Sequence, residues 1–128
     1  RKWKIALIGV GNLGRALLKY EKFKIQGFEI IAIFDNDPKK IGTIKENIKI
    51  QDISRLKHVV EKEKIKMAII TVSPDSTQKV VDMVVDSNIK SILNFTPVKI
   101  NVPPSINLLN IDMCVELRNL SYLTIDKE

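Results

Sequence analysis

Six residues near the start, Gly9-Val10-Gly11-Asn12-Leu13-Gly14, leave this chain few ways to fold. They match G-x-G-x-x-G, and their setting gives that short motif its weight. Trp3 to Val10 (WKIALIGV) reads as a buried strand, and Asn12 to Phe23 as a helix with Leu13, Ala16, Leu17 and Tyr20 on one buried face. A glycine loop that closes a strand and opens a helix is the first turn of a dinucleotide-binding βαβ unit. Gly9 permits the tight turn, Gly11 lets the backbone approach a pyrophosphate, and Gly14 lets the helix pack close to the sheet. Free N–H groups at the start of that helix then face the phosphates. Asp35 lies 21 residues beyond Gly14, at the end of the strand Phe28 to Phe34. A carboxylate there accepts hydrogen bonds from the adenosine ribose and repels a 2′-phosphate, which favours NAD(H) over NADP(H), although Lys39 and Lys40 stand close by.

The rest of the chain keeps the same alternation. Asp35 to Gly42 is turn chemistry. Ile48 to Ile50 is a third strand, and Ser54 to Lys64 a helix with Leu56, Val59 and Val60 inward. Met67 to Val72 is a buried strand, after which Ser73-Pro74 supplies an N-cap and a proline at the first helical position. The helix from Asp75 to Ser87 buries Val80, Val81, Val84 and Val85. Lys90 to Phe95 and Ile106 to Leu109 are the fifth and sixth strands, separated by a loop over Asn101 to Ser105. An amphipathic segment runs from about Asp112 to Leu123. Strands separated by helices of this length imply an α/β fold: a doubly wound parallel sheet in the order 3-2-1-4-5-6. We expect a Rossmann dinucleotide-binding domain over residues 1–110 and a C-terminal helix and tail over 111–128. The apolar stripe of that helix, Met113, Leu117, Leu120 and Leu123, has no place on a sheet already covered by its own helices, so a dimer interface is expected.

Composition narrows the function. The net charge is +6, yet only four of the 21 basic residues are arginine (Arg1, Arg15, Arg55 and Arg118), and lysines alternate with glutamates along helices. That is a solvated surface rather than a nucleic-acid stripe. One cysteine, Cys114, and one histidine, His58, leave no disulfide framework and no Cys- or His-rich metal site. No apolar run is long enough to span a membrane and no signal peptide is visible, so a cytoplasmic protein is expected. The start on a strand, with Arg1 rather than methionine, suggests a domain cut from a longer protein. His58 sits on the third helix, remote from the strand ends where a ligand would lie, and Cys114 reads as a packing residue. With no catalytic group beside the cofactor, binding without chemistry is expected, and the chain is read as not an enzyme. An NAD-dependent oxidoreductase domain remains the alternative, as does a nucleotide- or CoA-binding module of a ligase, which would not need Asp35.

Several stretches together resemble the Rex family of redox-sensing transcriptional repressors. They are Gly11-Asn12-Leu13-Gly14-Arg15-Ala16-Leu17 with Tyr20, Phe34-Asp35-Asn36-Asp37-Pro38, Ile41-Gly42, Ile92 to Val98 (ILNFTPV), Asn110-Ile111-Asp112, Glu116-Leu117 and Leu120-Ser121-Tyr122. Val72-Ser73-Pro74 departs from the family's usual Val-Pro-Ala, while Gln78 keeps its place. The resemblance implies a homodimer with the C-terminal helix swapped onto the partner, NADH binding that closes the dimer and releases operator DNA, and weak competition by NAD+. It also implies an N-terminal winged-helix domain for DNA that these residues do not include. Tyr20 matches the family tyrosine near the nicotinamide, and Asp112 the acid that reaches it from the other subunit. From the residues alone, Tyr20 would be a core residue and Asp112 a helix N-cap. Phe95, Met113 and the turn Val72 to Pro74 are candidate walls of an apolar pocket that resists burying the cationic nicotinamide. A Tyr20–Asp112 pair is expected in the NADH state.

Overall fold

The computed structural model describes residues 2–128. In chain order the elements are β1 (Trp3–Ile8), α1 (Asn12–Leu18), α2 (Lys22–Ile25), β2 (Phe28–Asp35), β3 (Ile44–Lys45), β4 (Ile48–Asp52), α3 (Leu56–Glu63), β5 (Met67–Ile70), α4 (Thr77–Asp86), β6 (Ser91–Asn94), β7 (Asn107–Asn110) and α5 (Met113–Ile125). Short 3-10 turns, Ile53–Arg55 and Pro74–Ser76, lead into α3 and α4. The sheet order is β3-β4-β2-β1-β5-β6-β7, and every pairing but one is parallel. Without β3 this is the expected order 3-2-1-4-5-6.

The added strand β3 pairs antiparallel with β4. Glu46 and Asn47 turn the chain between them with φ of 48° and 66°. Two successive positive φ values make the tight hairpin turn whose twist matches its strands. A strand of two residues carries no periodicity, so nothing in the pattern of Ile44-Lys45 announces it.

Side chains alternate across the pleat, and the two faces of the sheet are filled unequally. Ala6, Ile8, Ala32, Phe34, Ala68, Ile70 and Ile92 point to the face covered by α3 and α4. Leu56, Val59 and Val60 of α3 and Val80, Val81 and Val84 of α4 complete that layer, as their spacing requires. Ile5, Leu7, Ile33, Ile50 and Ile69 point the other way, where Leu17 and Leu18 of α1 pack on them.

The first helix differs from the sequence expectation. The chain forms α1 and α2 rather than one helix over 12–23, because Lys19 and Tyr20 donate to carbonyls three residues back (Ala16 and Leu17, both 3.2 Å). This tighter winding takes the following residues out of the 3.6-residue stripe. Tyr20 is therefore exposed; Leu13 and Ala16, earlier on α1, are exposed as well, and only Leu17 of the expected face is packed inward. The sheet is consequently not fully covered by its own helices. An apolar groove of about 650 Å³ lies open over β1, β5, β6 and β7, lined by Ile5, Tyr20, Phe23, Met67, Leu93 and Leu109 among others.

Candidate functional site

The carboxyl ends of β1, β2 and β5 converge on a cleft of about 320 Å³ lined by Gly9, Gly11, Asp35, Thr71, Val72 and Ser73, among others. Its floor is the glycine loop. Gly9 has φ +96°, and a Cβ there would stand 2.9 Å from the backbone of Thr71 and Val72, so both conformation and space demand glycine. A Cβ on Gly14 would run into the carbonyl oxygen of Gly9 and stand 3.0 Å from Thr71 Oγ1, which is how closely α1 sits on the loop. At Gly11 a Cβ would meet nothing within 4 Å. The space that a side chain would occupy is open to the cleft, as the approach of a phosphate ester needs. Gly11 is also the N-cap of α1 and has no side chain to bond the first turn. The opening N–H groups of the helix lack carbonyl partners one turn back. Asn12 and Leu13 lie on that first turn; the Asn12 side chain accepts a hydrogen bond from Arg15 at 2.6 Å.

Asp35 closes one wall. Its side chain is only 11% exposed, and both oxygens are engaged: Oδ2 accepts from Val10 N–H at 2.9 Å, and Oδ1 from Asp37 N–H at 3.0 Å. The carboxylate is thus tied to the glycine loop and cannot swing out of the cleft. Lys40 Nζ stands 3.9 Å from Asp35 Oδ2. Opposite, Thr71 donates its hydroxyl to Gly9 O at 2.8 Å, while its N–H bonds Ile8 O at 2.9 Å. Thr71 fastens the end of β5 to the loop. Sequence reasoning missed it, although its place directly before Val72-Ser73-Pro74 marks the end of a central strand.

The turn Ser73-Pro74 starts a helix as expected, but Ser73 is a cap by position only. Its hydroxyl caps no backbone N–H of the first turn and reaches only the Ser76 hydroxyl at 3.4 Å, whereas Thr77 donates to the Ser73 carbonyl at 3.1 Å. The proline ring sets the helical φ without help from a capping side chain. Phe95, at the end of β6, is half-buried on the α1 face and donates its N–H to Ile70 O at 3.0 Å.

Gly9, Gly11, Asp35, Val72 and Ser73 therefore share one cleft. Tyr20 does not join them within the chain. It stands on the rim of the apolar groove, half exposed, edge-on to Phe23 with ring centroids 4.8 Å apart. Asp112 caps α5, accepting from Cys114 N–H at 3.0 Å and Val115 N–H at 3.4 Å, and Met113 beside it is 66% exposed. Tyr20 and Asp112 make no contact with each other in one chain. Among the described residues no group of three or more His, Cys, Asp or Glu is placed to hold a metal, and His58 is exposed on α3 away from the cleft. No described helix is long and apolar enough to cross a membrane.

Comparison with known proteins agrees with this geometry. The model of the CoA binding domain family matches residues 1–98. The redox-sensing transcriptional repressor Rex of Desulfitobacterium hafniense is 41% identical over 120 residues, covering 94% of this chain and 57% of the relative. The Chloroflexus aurantiacus protein of the same name is 38% identical with the same coverage. The chain thus spans a little over half the length of the curated relatives it matches. Among solved structures, RSP, a Rex-family repressor, in complex with β-NADH superposes with a TM-score of 0.90 at 29% identity, over 98% of this chain and 61% of that one. The complex of RSP with β-NAD+ and operator DNA gives 0.92 at 29%, over 98% and 58%.

Proposed function

Because the chain belongs to the CoA binding domain family, and within it is a Rex-family C-terminal domain, we propose that it is the NAD(H)-sensing and dimerisation portion of a redox-responsive transcriptional repressor. Residues 1–110 bind the cofactor, and 111–128 form the dimerisation helix and tail. The observation that carries this reading is Asp35, held by Val10 N–H at the ribose position of a glycine-loop cleft. Coenzyme A carries a 3′-phosphate on its adenosine ribose and NADP(H) a 2′-phosphate. A fixed carboxylate repels both, while it accepts from the free hydroxyls of NAD(H). The solved relative RSP, which binds NADH and NAD+, supports the same cofactor.

The cofactor contacts follow the geometry. Gly9, Gly11, Asn12, Leu13 and Gly14 take the pyrophosphate, Asp35 the adenosine ribose, and Val72, Ser73, Pro74 and Phe95 flank the nicotinamide. The nicotinamide site is completed by a second copy of the chain. Every large apolar residue of α5, including Leu117, Leu120 and Leu123, is more than 40% exposed, so this helix has no core of its own. The open groove between Tyr20 and Leu109 offers an apolar face to receive it. A helix swapped between two subunits brings Asp112 and Met113 of one to Tyr20 and Phe95 of the other. NAD+ and NADH differ only at the nicotinamide, so discrimination must arise where that ring is buried. An apolar pocket closed by the partner's helix disfavours the cation, and a Tyr20–Asp112 pair in the NADH state draws Asp112 away from its other contacts. NADH closes the dimer, and operator DNA, bound through a winged-helix domain outside these residues, is released. The protein acts in the cytoplasm by binding, not by chemistry.

Parallel calorimetric titrations with NADH and NAD+, with the solution mass measured alongside, test the proposal. The expected result is a dimer that binds NADH at least about tenfold tighter, a gap of about 1.4 kcal/mol. Equal affinities, or a monomer, would return the chain to an ordinary dehydrogenase domain.

A further inference from the structure

Asn94 is a polar residue at the end of an inner strand with no exposed surface at all. Every polar group of its side chain is engaged. Oδ1 accepts the Thr96 N–H at 3.0 Å and the Thr96 hydroxyl at 2.8 Å. Nδ2 donates to Asn110 Oδ1 at 3.0 Å and, at 3.4 Å each, to the carbonyls of Thr96 and Val98. Its main-chain carbonyl accepts the Ile111 N–H at 2.9 Å. In register, Asn94 lies between Ile70 on β5 and Asn110 on β7. The buried amide therefore joins the turn that carries Phe95 to the last residue of β7, while the Asn94 main chain, paired with β5, holds Ile111 just before α5.

This junction matters because α5 has no other anchor in the chain. None of its residues is buried, and Asp112 caps it immediately after Ile111. The direction in which the helix leaves the sheet is set by the bonds at 110–112. An apolar side chain at position 94 could fill the space equally well, but it would leave the base of α5 held by main-chain bonds alone. A fully satisfied buried amide selects one geometry, since any other leaves polar groups unpaired.

We infer that Asn94 is a positioning residue that clamps the base of α5 to the carboxyl end of β6 and the turn that follows it, so that helix and nicotinamide side of the cleft move as one body. The inference rests on the proposal that α5 docks on a second copy and completes the nicotinamide site. The clamp makes Asn110 and Ile111 part of the rigid sheet, and α5 starts directly from them.

Because Asn94 is fully buried and its replacement also tests folding, the experiment uses its exposed partner Asn110. Asn110→Ala removes the acceptor at 3.0 Å, whereas Asn110→Asp keeps one. Two quantities are read in each variant: the ratio of NADH to NAD+ affinity, and amide hydrogen exchange at residues 111–115 with NADH bound. In Asn110→Ala the affinity ratio should fall about fivefold and exchange at the helix base should rise about fivefold, the loss of roughly one hydrogen bond. Asn110→Asp should restore both. A purely structural role would lower the melting temperature and leave the ratio unchanged, and that result overturns the inference. So does an Asp variant as impaired as the Ala variant. A wild-type ratio near one overturns the sensor reading itself and this inference with it, and is distinguished by the wild-type titration alone.

Discussion

The two ends of the proposed cofactor site are built differently. At the adenosine end the chain is complete in itself: Val10, Asp35, Gly9 and Thr71 are joined by hydrogen bonds of 2.8 to 2.9 Å across three adjacent strands. At the proposed nicotinamide end Tyr20 and Met113 are exposed, Asp112 is occupied in capping α5, and Tyr20 stands apart from both. The difference separates affinity from discrimination. The adenosine half of NAD+ and NADH is identical, so a rigid and finished adenosine site binds both equally. In the proposed function, the ring that differs falls where a second chain has still to contribute. A sensor needs unequal binding by two states of the protein, and the unfinished end is where two states can exist.

Changes at each end should therefore have separable effects. The largest is expected from Gly9→Val, which places a branched side chain at φ +96° with its Cβ 2.9 Å from the Thr71 backbone. Destabilisation of about 3 kcal/mol or more is expected, with loss of NADH and NAD+ binding alike, measured by thermal melting and titration. Binding at wild-type strength would mean that the loop is not the phosphate site.

Asp35→Ala should weaken both cofactors by about 2 kcal/mol, some thirtyfold, and leave their ratio unchanged. A change in the ratio would break the division between the two ends. Leu120→Glu, on a helix with no buried residue, should leave the unfolding free energy of the single chain within about 0.5 kcal/mol of wild type. It should nevertheless abolish the dimer and bring the NADH to NAD+ ratio toward one, read by sedimentation and titration together. A monomer that still discriminates would move the redox sensor into the single chain. The smallest effect belongs to Tyr20→Phe, expected to cost about 1 kcal/mol of NADH affinity and almost none of NAD+ affinity. Equal NADH affinity in wild type and variant would remove the Tyr20–Asp112 pair.

Much of this protein was legible in its residues because the relevant signals are local. The glycine loop, the strand that precedes it and Asp35 at the next strand end are contiguous segments, and the spacing of Leu56, Val59 and Val60 or of Val80, Val81 and Val84 is that of a helix face on a sheet. Each states its environment within one or two turns of chain. The same reasoning failed at Leu13, Ala16 and Tyr20, where the spacing is helical but a tightened turn and an uncovered sheet face leave the residues exposed. It could not see the two-residue β3, nor Thr71 reaching across to Gly9.

Periodicity and motif determined the doubly wound order, the glycine cleft and the acid Asp35 on its wall, because alternation of burial is written along the chain. Tertiary structure alone decided which face of the sheet stays open, that α5 has no buried residue within its own chain, and that Asn94 fastens the turn after β6 to Asn110 on β7. Those facts depend on strand register and on where a helix stops, and both are settled by contacts between residues tens of positions apart.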